Sequence, residues 1–214
     1  MKTIMSLFAI LLLLLPSGLR GQEFVMDKTF GDQGVTVIPD FDLIYQMEFD
    51  SKGNILIKGK HDHTAIQQVV LKLDDKGFPD QNFGHEGIFS LPWNFFRIID
   101  MKVDANDKIL VTGFNQEESL ILLRITEKGE LDKTFGDNGM TAIRGIGEDV
   151  SVKTVSHQSD GKVLVGGTYY YRTAESRFSD MYLVRITSTG ELDEGFGEQG
   201  IIRFKMGFKN YSSL

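Results

Sequence analysis

The chain has 214 residues, 41% of them apolar and 25% charged, the balance of a folded globular protein. It contains no cysteine, which excludes disulfides, thiolate metal sites and a cysteine nucleophile. Its formal net charge of −7, with Lys and Arg dispersed along the chain, argues against nucleic acid and anionic membranes as partners.

Residues 1–21 read as a secretory signal peptide. Lys2 supplies a positive start, Leu7–Leu15 is unbroken apolar sequence, and Pro16, Ser17 and Gly18 follow. The apolar run is too short for a membrane span, so none is expected in the mature chain. Cleavage is expected near Gly21–Gln22, giving a secreted, periplasmic or cell-surface protein. Losing Lys2 and Arg20 leaves 21 basic and 30 acidic residues, a net charge of −9.

The rest of the chain repeats itself. An octet Asp-x-x-Phe-Gly-x-x-Gly occurs at Asp27–Gly34, Asp80–Gly87, Asp132–Gly139 and Asp193–Gly200. From Phe30 to Phe83, Phe135 and Phe196 the steps are 53, 52 and 61 residues, the period of a repeat architecture. On this basis residues 22–79 form a first repeat, 80–131 a second, 132–192 a third and 193–214 a partial fourth.

Each complete repeat predicts four short strands. In the first these fall at about 35–39, 43–49, 54–60 and 66–73. The second predicts about 88–91, 96–103, 108–114 and 119–126, the third about 140–144, 150–156, 162–168 and 180–187, and the fourth only about 200–205. Turn signals such as Lys52-Gly53 and Asp160-Gly161 separate the β-branched runs. The fold class is therefore all-β: a propeller-like array of four-stranded antiparallel repeats, three complete and one partial. That is too few for a closed ring from one chain. The last strand is left without a partner, which suggests either a homodimer that completes a blade through it or a stretch of a longer repeat protein.

The octet reads as a turn and an anchor. Phe30, Phe83, Phe135 and Phe196 supply rings to fill the space between units. Gly31, Gly84, Gly136 and Gly197 permit the backbone to turn closely, and Asp27, Asp80, Asp132 and Asp193 cap the turn. These motifs resemble the delta-60 repeat family. The match is carried by Glu130-Leu131-Asp132-Lys133-Thr134-Phe135-Gly136-Asp137-Asn138-Gly139 and by Asp160-Gly161-Lys162-Val163-Leu164-Val165-Gly166-Gly167, and it extends over 24–206. Met26 and Asp107-Lys108 depart from the pattern. The resemblance implies secreted bacterial proteins with propeller-like β repeats, and it brings no catalytic residue.

Candidate chemistry is sparse. No nucleophile elbow, zinc-protease helix or phosphate loop occurs, and no catalytic residue, metal or cofactor is assigned. The octet acids, including Asp32 and Asp137, lack the alternating oxygen ligands of a calcium loop. His61 and His63 lack a third ligand nearby, and His85 and His157 stand alone. The best binding candidate is the third repeat, whose extra length falls in a loop insertion at 168–180. There Tyr169, Tyr170, Tyr171, Arg172 and Arg177 offer rings to stack on a sugar or cations to hold a carboxylate. The alternative is a lengthened hairpin whose rings pack on a neighbouring unit. Trp93, the single tryptophan, sits in a strand connection and either joins that rim or caps the core. A non-catalytic scaffold that binds protein or glycan is the leading expectation. A propeller-type enzyme acting on polysaccharide is the alternative.

Overall fold

The computed structural model describes residues 25–38, 41–61, 68–91, 95–115, 119–147, 149–173 and 176–210. The expected signal segment lies outside them. The described residues form twelve strands and no helix. A first sheet holds β1 (Phe41–Phe49), β2 (Ile55–His61), β3 (Gln68–Leu73) and β4 (Ile88–Ser90) in that order. A second holds β5 (Phe95–Val103), β6 (Ile109–Asn115), β7 (Leu120–Ile125) and β8 (Met140–Ile143). The third holds β9 (Asp149–His157), β10 (Val163–Arg172), β11 (Arg177–Ile186) and β12 (Ile201–Asn210). All pairings are antiparallel, and the sheets stack as an open propeller-like array.

Sheet and sequence repeat are out of phase. Each of the last three octets joins the third and fourth strands of one sheet. The strand after an octet therefore closes the preceding sheet instead of opening a new one. This corrects the expectation that the last strand lacks a partner: β12 pairs with β11, from Val184↔Ile201 to Arg177↔Asn210. A dimer is not needed to complete that blade. The unmatched strand is at the other end. Residues 35–38 join no sheet, and Val35 makes only an isolated bridge to Asp32.

The first strands of the three sheets lie side by side. Each carries a bulge at the same place, with Tyr45, Ile99 and Lys153 as the extra residues. Just after it, Gln46 Nε2 donates to Asp100 Oδ1 at 2.9 Å and to the Met101 carbonyl at 2.6 Å. Asp100 Oδ2 in turn accepts from Val155 N at 2.9 Å and Thr154 Oγ1 at 3.0 Å. One apolar layer, including Leu56, Val70, Phe83 and Met101, lies between the first two sheets. Another, including Leu110, Leu122, Phe135, Val155 and Val165, lies between the second and third.

Backbone contacts stitch each of the first three octets to the turn of the next sheet. Gly31 N donates to the Lys76 carbonyl at 2.7 Å, Gly84 N to Lys128 at 2.8 Å and Gly136 N to Thr189 at 2.8 Å. The approach is tight: a Cβ on Gly190, at φ +90°, would sit 2.3 Å from Gly136 N. Gly190→Ala is expected to cost about 3 kcal/mol in urea unfolding, since strain and collision add. Gly53→Ala, at φ +83° in open space, pays only the strain of about 1 kcal/mol.

Candidate functional site

The octet is engaged in building the fold. Phe83 and Phe135 are fully buried in the two inter-sheet layers. The Arg124 guanidinium lies 4.3 Å from the Phe135 ring centroid, a cation–π contact. Asp132 Oδ2 accepts from Lys108 Nζ at 2.7 Å and from Arg124 Nε at 2.8 Å. Its Oδ1 accepts the Thr134 hydroxyl at 2.6 Å and the Thr134 N–H at 3.1 Å. Burial pushes this carboxyl up, but the Lys108 and Thr134 hydrogen bonds and the Arg124 charge outweigh it. They hold Asp132 far below the usual carboxylate range. Asp193 repeats the pattern nearer solvent, lowered chiefly by the Lys162 hydrogen bond. No group of three His, Cys, Asp or Glu suited to a metal ion occurs among the described residues.

The opposite rim differs. There the extra residues of the third repeat lengthen the β10–β11 hairpin in unbroken register, from Thr168↔Met181 to Arg172↔Arg177. Strand alternation sorts the tyrosines. Tyr169 and Tyr171 share a face with Phe178 and Asp180 across the hairpin, while Tyr170 points to the other face. Tyr169 and Tyr171 stack with ring centroids 5.9 Å apart, and Tyr171 and Phe178 with centroids 5.5 Å apart. The ladder rises out of the core. Tyr169 packs on the layer between the second and third sheets, and Tyr171 is exposed.

Asp180 fixes the base of this ladder. It is buried, and its Oδ2 accepts the Tyr169 hydroxyl at 3.2 Å while Oδ1 accepts Met206 N at 2.8 Å. Burial and then the Asp180 charge push the Tyr169 phenol up, so it stays a neutral donor. Arg203 on β12 braces the adjacent connection by donating to the Gly145 carbonyl at 2.5 Å. Arg172 is exposed at the hairpin end, with Arg177 as its register partner. Trp93, His63 and residues 174–175 lie outside the described residues. Sequence reading missed Phe178, Asp180 and Arg203. The first two were available in principle, since a hairpin places them opposite Tyr171 and Tyr169. Arg203 had no local signal.

One buried group is out of place. The Tyr182 hydroxyl sits in the core without a hydrogen-bond partner among the described residues, and burial pushes its pKa far up, so the phenol stays neutral. An unmade bond of this kind costs about 1–3 kcal/mol. Tyr182→Phe is therefore expected to raise the melting temperature, and a loss of stability would contradict this reading.

A family model described as "Domain of unknown function (DUF5122) beta-propeller" matches residues 158–196. The match runs from the β9–β10 turn through the long hairpin to Phe196 of the last octet. It identifies a propeller-like β-repeat there and carries no ligand or activity. No curated protein and no solved structure matches the chain.

Proposed function

We propose that this chain is a secreted, non-catalytic β-repeat scaffold that binds a glycan or protein through the β10–β11 rim. The closer kinship, on this reading, is with the delta-60 repeat proteins. The observation that carries it is the stacked ladder Tyr169–Tyr171–Phe178, in which Tyr171 is exposed near the hairpin end. Stacked rings present a flat apolar surface already ordered before binding, so little side-chain freedom is lost on contact. Arg172, on the hairpin's other face with Tyr170, adds an exposed cation at the same rim that suits a carboxylate. Asp180 is committed to Tyr169 and Met206, which leaves it a structural acid.

The test is direct binding to arrays of neutral and uronic-acid oligosaccharides and of peptides, with turnover followed in parallel. Tyr171→Ala with Phe178→Ala is expected to weaken binding about tenfold or more, an ordinary loss for truncated aromatic anchors. Turnover of an oligosaccharide that disappears in Asp180→Asn would overturn the scaffold reading in favour of a polysaccharide-acting enzyme.

A further inference from the structure

The two end faces of the array differ from their interior counterparts in the same way. Met47 on β1 corresponds to Met101 on β5 and Val155 on β9, since all three hold the same register against the second strand. Met101 and Val155 are 0% exposed, whereas Met47 is 58% exposed, with Leu43, Tyr45 and Phe49 bare beside it. At the other end, the residue four past the last octet glycine is Leu91, Ile143 and Phe204 in the three sheets. Leu91 and Ile143 are 3% and 6% exposed, and Phe204 is 39% exposed. One end thus carries the face that receives a preceding sheet, and the other carries the face that meets a following one.

The polar stitching follows the same pattern. Arg124 Nη1 donates at 2.7 Å to the Ser188 carbonyl in the turn of the following sheet. Arg185 holds the place of Arg124 in the third sheet, and Asp75 holds the place of Ser188 in the first. Arg185 at one end and the Asp75 carbonyl at the other are thus the positional counterparts of that donor and acceptor. Gly197 likewise holds the place of Gly31, Gly84 and Gly136, whose N–H groups reach the next turn.

We infer that these end faces mate with a second copy of this chain, head to tail, and that residues 25–38 are a displaceable stand-in occupying the seat. The first octet already holds the contact that a second copy's last octet needs. Gly31 N bonds the Lys76 carbonyl, and Thr36 Oγ1 bonds the Gly77 carbonyl at 2.7 Å. Only one octet fits there. Residues 25–38 cover the outer part of the face and leave Met47 and Phe49 exposed, so the stand-in is incomplete. Two copies of the three sheets among the described residues make six, within the four to eight or so that closed propellers use, while three copies make nine. A face that repeats around an axis closes when the rotation permits it.

Sedimentation equilibrium of the chain and of its Gly31→Val/Thr36→Val variant tests this. A side chain on Gly31 would collide with the Val35 carbonyl at 2.3 Å, and valine at 36 removes the bond to Gly77, so the stand-in loosens. The loosened chain is expected to form dimers about tenfold more tightly. Adding Met47→Asp or Phe204→Asp, both at exposed positions, is expected to return it to monomer. If Gly31→Val disturbs the thermal melt, Thr36→Val alone carries the comparison, with the same direction expected. Equal dimer fractions in parent and loosened chains overturn the inference, as do insensitivity to Met47→Asp or assemblies larger than two.

Discussion

Replacing Phe135 by Ala is expected to lower the unfolding free energy by about 3–5 kcal/mol, the cost of emptying a buried aromatic site. The ring has no exposed surface and lies between two sheets. The second sheet is covered on both faces, and this ring fills the space that it and the third sheet define together. Repeat proteins distribute stability through such interfaces between neighbours. Phe196 holds the same octet position but is half-buried, with Arg185 4.2 Å from its centroid and no described sheet beyond. Phe196→Ala is expected to cost less than half as much. Urea unfolding of the two variants checks the pair.

The second large effect is at Asp132. Asp132→Ala strands Arg124 and Lys108, with the Arg124 side chain only 9% exposed. Removing one member of a buried pair costs about 3–5 kcal/mol, because the remaining charge stays desolvated. The acid is held below its unfolded value of about 3.9, so its contribution is fully present above that pH. It is lost as pH falls through and below that value, toward the depressed folded one. The parent chain is therefore expected to lose stability steeply below about pH 4, and Asp132→Asn to show a shallower acid limb. Chemical unfolding at stepped pH separates the two.

The turns were the most legible part of the sequence. Asp50 Oδ1 accepts from Lys52 N and Asn54 N at 2.9 Å each, and Asp104 Oδ1 accepts from Asn106 N and Lys108 N. These are local bonds, so the local dipeptides encode them. Asp107 shows where local reading stops. It stands where the repeat pattern expects glycine and takes φ +59° itself. Its carboxylate accepts the Ser51 N–H and hydroxyl, each at 2.7 Å, from the neighbouring sheet. A residue that breaks the turn pattern thus ties two sheets together across 56 positions in the chain.

The phase of the sheets was illegible for a related reason. Periodicity fixes the length of the unit and not where the unit begins. The strand after each octet is equally compatible with closing one sheet or opening the next. Only its pairing partner decides, and that is a tertiary fact. At the candidate site, three tyrosines in a row announced an unusual segment. Their division between two faces, and their link to Asp180 and Phe178, needed the hairpin register.

The octet is a docking device between successive sheets. Amide hydrogen exchange of its glycines, at concentrations where the chain is monomeric, tests it most directly. Gly84 and Gly136 are expected to exchange only through global unfolding, since their N–H groups are bonded to the following turn. Gly197, with no described turn beyond it, is expected to exchange much faster. Exchange at Gly84 and Gly136 as fast as at Gly197 would show that the octet does not dock successive sheets.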